Sequence, residues 1–175
     1  MEITTDISLK GTAWNNAIEK LEPLFPRNFQ KKQRPSNYML YILALSVGIM
    51  YDKRIEKPEE NGEEIKNVPR NVLQNNDNGR LDFMFQAAIL TTNTENLSEE
   101  ERLELAFGDK IEYNKIAFLT SFANFGITKI VEQIGLTSID TMENLKNFFE
   151  NIFQGQNWDI EGLPDELLLD EFEVY

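Results

Sequence analysis

Apolar residues recur along this chain three and four positions apart, the spacing of a helix face, and no run sustains the alternation of a strand. Trp14, Ala17, Ile18 and Leu21 form one such stripe, with Thr12 placed to cap it and Pro23 to stop it. From Tyr38 to Tyr51 fourteen residues carry no charge, which predicts a helix buried on nearly all sides. Val68 and Pro69 open a short helix closed by the turn formers at 75–79. Leu81, Met84, Phe85 and Ala88 then share a face, with Phe83, Ala87 and Leu90 beside it. Ser98 and Glu101 form a capping box before Leu103 to Phe107, and Gly108 ends that piece. Ile116, Leu119, Phe122 and Ala123 face inward on a helix from Glu112 to Phe125, which Gly126 ends or bends before the stripe resumes at Ile127, Ile130, Val131 and Ile134. A last helix follows Asp140 or Thr141, with Met142, Leu145, Phe148, Phe149, Ile152 and Phe153. The pattern predicts an all-α fold: a single globular bundle of about seven helices over residues 1–158, with a separate segment at 159–175.

The stretch from Tyr38 to Tyr51 is the expected axis of that bundle. Ser36 is a cap for it, and Lys53 and Arg54 are expected in its last turn, where cations favour the negative end of the helix dipole. Ala44 and Gly48 lie one turn apart, so a second helix can approach closely there; the one closing at Gly126 is the natural partner. Fourteen apolar residues fall short of the roughly 18 to 20 that cross a bilayer, and Met1 to Asn15 lack the form of a signal sequence, so a cytoplasmic location is expected.

A chain of 175 residues suits one domain. It has neither Cys nor His, which removes disulfides, thiolate nucleophiles, Cys/His metal sites and the Ser-His-Asp triad. The net charge is −13, and seven uncompensated carboxylates sit in residues 159–175. Such a balance disfavours direct binding to DNA phosphates and favours a protein partner with a basic surface. No phosphate-binding glycine loop and no nucleophile elbow occurs, so no cofactor is expected.

Two segments stand out as contact elements. Residues 22–35 carry the densest basic patch, Arg27, Lys31, Lys32 and Arg34, interleaved with Phe25 and Phe29. Cations beside aromatics can hold single-stranded nucleic acid, but four of them on an acidic body equally form a solvated loop or a protein contact. The C-terminal segment mixes Asp165, Glu166, Asp170 and Glu171 with Leu168, Phe172 and Tyr175. It suits a docking peptide, a mimic of DNA phosphates, or a segment packed on its own body. The acidic runs Glu99, Glu100, Glu101, Glu104 and Glu59, Glu60, Glu63, Glu64 are ordinary helix or loop surface, and catalysis with Mg²⁺ would need carboxylates converging from separate elements. Ser121, Asn124 and Gly126 interrupt an apolar helix, as a contact surface, a ligand pocket, a helix end or a close-packing point would.

Three stretches, YMLYILALSVGIMYDKR at 38–54, IKNVPRNVL at 65–73 and FLTSFANFGITKIVEQIG at 118–135, resemble a small family encoded beside bacterial DNA phosphorothioation modification and restriction systems. The shared pattern is an apolar helix ending in Gly and a basic residue, a Pro-containing link, and a helix closing in Ala-Asn-x-Gly. Thr120 and Ser121 stand here where that pattern is acidic. The resemblance implies a non-catalytic accessory protein of an antiphage defence locus, acting by protein-protein binding. An acidic DNA mimic that inhibits a nucleic-acid-binding enzyme is the alternative.

Overall fold

In a computed structural model the described residues are 4–21, 37–93, 96–108 and 113–155. They form seven helices: α1 (Thr12–Leu21), α2 (Asn37–Met50), α3 (Arg70–Asn76), α4 (Arg80–Thr91), α5 (Glu99–Phe107), α6 (Lys115–Val131) and α7 (Ser138–Gly155). Two three-residue strands, β1 (Ile7–Leu9) and β2 (Lys66–Val68), pair antiparallel with Ile7 opposite Val68 and Leu9 opposite Lys66. The fold is an all-α bundle with one small ribbon. Three residues are too few to display an alternation, so this ribbon left no periodic trace in the sequence; its inward residues are Ile7, Leu9 and Val68.

The axis of the bundle is α2 crossed by α6. Tyr38, Leu40, Tyr41, Ala44, Leu45, Val47 and Gly48 of α2 are all buried, whereas Met39 is exposed. On α6, nine positions from Phe118 to Ile130 are buried. At the crossing both helices have shed their side chains. An ideal Cβ on Gly126 would lie 1.8 Å from the Ala44 carbonyl oxygen, and one on Gly48 would lie 2.1 Å from that of Phe122. Only hydrogen fits, so the backbones touch. Gly126 therefore does not end its helix: α6 runs on to Val131, because glycine's propensity cost of about 1 kcal/mol is offset by the packing it permits.

The helix ends follow from local chemistry, with two shifts from expectation. Asp52 takes the left-handed conformation (φ 48°), its N–H donates to the Ile49 carbonyl, and the Lys53 N–H donates to that of Gly48. This double bond pattern closes α2 and leaves Lys53 and Arg54 beyond the last turn. Arg54 instead lies over the rings of Phe118 and Phe122, at 5.2 and 5.7 Å. At α7, the Asp140 N–H donates to Thr137 Oγ1 and the Thr137 N–H to Asp140 Oδ2, so capping begins one turn before the expected start. The Ser98–Glu101 capping box of α5 forms as the sequence specifies.

The link from α2 to β2 is pinned to the body. The Ile55 N–H donates to the Ser121 carbonyl and the Thr12 N–H to that of Glu59. Among the described residues no helix is long and apolar enough to cross a membrane.

Candidate functional site

Arg27, Lys31, Lys32 and Arg34 lie outside the described residues, as do Asp165, Glu166, Leu168, Asp170, Glu171, Phe172 and Tyr175. The candidates within the described residues separate into a buried polar node and an open cleft.

The node is built from Ser121 and Asn124, the polar interruptions of α6. Both are buried in mid-helix. Asn124 Oδ1 accepts from the Trp14 indole N–H at 2.9 Å, and its Nδ2 donates to the Ile55 carbonyl at 3.0 Å. One amide thus ties α1, α6 and the chain leaving α2 together, and Trp14 lies stacked on Tyr41 with ring centroids 6.3 Å apart. A buried amide with its partners in place specifies how elements dock. Ser121 donates to the Phe118 carbonyl, the usual use of a hydroxyl inside a helix. These residues hold the bundle; they form neither a surface nor a helix end.

Two buried phenols sit beside the node. Tyr38 donates to Asp77 Oδ1 at 3.0 Å, and the same carboxylate accepts from the Leu81 N–H at the start of α4. Burial first, then the bond and charge of Asp77, push the Tyr38 phenol up to about 12. Tyr41 lies 3.1 Å from Thr120 Oγ1, and burial raises its pKa as well.

Among the described residues the carboxylates do not converge. Glu63 accepts from Thr12 and from the Asn61 N–H, which hold it below the usual carboxylate range. The Ser98 N–H does the same for Glu101, and Lys66 for Glu64. Among the described residues no group of three or more acids is placed to hold a metal ion.

The cleft lies where the C-terminal ends of α2 and α6 meet the flank of α7. Its volume is about 460 Å³, within the usual span of ligand pockets. Met50, Tyr51, Phe148 and Ile152 supply the apolar surface; Gln133, Asn144, Asn147 and Asn151 supply carboxamides. Asn144 Nδ2 donates to the Gln133 carbonyl at 3.2 Å, and Gln133 Nε2 donates to that of Lys129 at 3.2 Å. The side-chain amides of Asn147 and Asn151, one turn apart, bond to no described residue. Among the described residues no ionised side chain lines the cleft. Lys129 is paired with Glu132 at 2.6 Å, and Lys146 with Glu150 at 3.6 Å.

Nothing at the sequence level singled out these amides. Their spacing at 144, 147 and 151 is that of one helix stripe, and it is the signal that was there to be used. Searches against protein-family models, curated proteins and solved structures match nothing to this chain.

Proposed function

We propose that the protein is a non-catalytic interaction component that works by binding another protein within a bacterial antiphage or restriction-type assembly. The observation that carries the binding reading is apolar surface left outside. Leu136 is fully exposed, Ile139 77% and Met142 57%, spaced three apart at the start of α7, while Phe83 of α4 and Phe107 of α5 are 69% and 63% exposed. Single exposed apolar residues are ordinary; several large ones on adjoining turns are the composition of a contact surface.

The defence context is supported by the resemblance of the stretches at 38–54, 65–73 and 118–135 to the phosphorothioation-associated family. The charge of −13 favours a partner with a basic face, which it would steer into contact before apolar surface is buried. The test is co-expression with the products of the adjacent genes, followed by pull-down of the full chain, of a chain ending at residue 158, and of an Ile139→Ser/Met142→Ser variant. Retention of a neighbouring product by the full chain, weakened in either altered form, is the expected result. Retention of none overturns the reading. Retention that collapses steeply with added salt and is displaced by duplex DNA marks the DNA mimic instead.

A further inference from the structure

We propose that the cleft between α7 and the ends of α2 and α6 binds a short, extended, uncharged segment of a partner protein, recognised through its backbone amides. The inference rests on the reading of the chain as an interaction component, and it names what one surface takes.

The first argument is chemical. Each carboxamide of Asn147 and Asn151 offers a donor N–H and an acceptor oxygen side by side, the complement of one peptide N–H and C=O. Neither amide bonds to a described residue, whereas Asn144 has committed its donor to the Gln133 carbonyl.

The second argument is pitch. Four residues of helix place Asn147 and Asn151 about 6.0 Å apart along α7. Alternate residues of an extended chain, which present their backbone groups to the same side, lie roughly 6.6 to 6.8 Å apart. Side-chain torsions absorb the difference of under about 1 Å. A helical occupant fails here, because its N–H and C=O groups are already bonded to each other.

The third argument is charge. Among the described residues the lining has no ionised group, and Lys129 and Lys146 are each held by a glutamate. A charged occupant would lose hydration and gain no partner. Apolar side chains at alternate positions of the segment would rest on Met50, Tyr51, Phe148 and Ile152.

The experiment pans the full chain against two libraries of end-capped hexapeptides, one of uncharged residues and one with Asp, Glu, Lys or Arg at the two central positions. Uncharged sequences with apolar residues at alternate positions are expected to enrich. N-methylation of two alternate backbone nitrogens in a selected peptide is expected to weaken it tenfold or more. Asn147→Ala/Asn151→Ala is expected to weaken it equally with a melting temperature no lower than the parent's, since alanine favours the helix at these exposed positions. No enrichment over blank support, enrichment of charged centres, or full binding by the double variant overturns the inference. Displacement of the selected peptide by adenosine or methyl glucoside also overturns it, in favour of a small-molecule site. A neighbouring gene product captured equally well by the double variant sinks the cleft and leaves the interaction reading standing; capture by neither form of the protein sinks that reading itself.

Discussion

Replacing Gly126 by alanine sets two effects of opposite sign against each other. In a solvated helix alanine is better than glycine by about 1 kcal/mol, so propensity alone predicts a more stable protein. At the crossing with α2, however, the added Cβ would stand 1.8 Å from the Ala44 carbonyl oxygen, 2.7 Å from its carbon and 2.8 Å from the Gly48 nitrogen. All three atoms are backbone, so no side chain can swing away. Reaching even 3.0 Å requires α6 to retreat from α2 by about 1.2 Å. A gap of that size forfeits a quarter to a half or more of each van der Waals contact along the interface, which includes the fully buried Tyr41, Leu45, Leu119 and Phe122. Overpacking typically costs about 1 to 3 kcal/mol, and two rigid backbones place this case at the upper end. Subtracting the propensity gain leaves a net loss of roughly 2 kcal/mol, or a melting temperature lower by about 4 to 8 °C for a chain of this length. Thermal and urea unfolding followed by circular dichroism measure it, with Gly48→Ala in parallel because its Cβ would lie 2.1 Å from the Phe122 oxygen. A Gly126→Ala protein as stable as its parent, or more so, refutes the account.

Asn124→Ala strands the Trp14 indole N–H and the Ile55 carbonyl in the interior; the expected loss is roughly 3 kcal/mol, and urea unfolding giving under about 1 kcal/mol contradicts it. Ser98→Ala removes the capping box of α5 and is expected to cost about 1 kcal/mol, seen as faster amide exchange confined to the first turn of that helix. Alkaline stability follows from the two phenols: the folded pKa of Tyr38 is about 12 and that of Tyr41 is raised, both above the unfolded value near 10. Their contribution is therefore complete below pH ~10 and lost as pH rises through the folded values. Spectrophotometric titration compared with Tyr38→Phe and Tyr41→Phe variants is expected to show both phenols un-ionised at about pH 10 to 11 in the folded protein; either one ionising near 10 contradicts this.

The existence of the helices was legible because each needs an apolar stripe to bury, and the stripe survives in one dimension. The close crossing was legible too, since Ala44 and Gly48, one turn apart, marked it and the helix carrying Gly126 was its expected partner. That this helix runs on past Gly126 was not, because the contact that sets the glycine's role lies with Ala44, some eighty residues earlier. The inward role of Asn124 was hidden for the same reason, since its partners come from α1 and from the chain after α2. The cleft was illegible because three asparagines on a helix flank look like solvated surface until Met50 and Tyr51 are brought opposite them. Local chemistry transferred well: Ser98 with Glu101 forms the box expected of it, while Thr137 with Asp140 was missed because aspartate stood in place of the usual glutamate.

The α2–α6 crossing also bears on how the protein is made. Its two halves end about eighty residues apart, at Met50 and Val131. At roughly 5 to 20 residues per second, the most apolar helix of the nascent chain waits about 4 to 16 seconds for the surface that covers it. During that interval fourteen uncharged residues are open to any apolar neighbour, and α1 can offer them only one side. Translation speed between codons 50 and 131, and the supply of chaperones that shelter apolar helices, should therefore affect the yield of native protein.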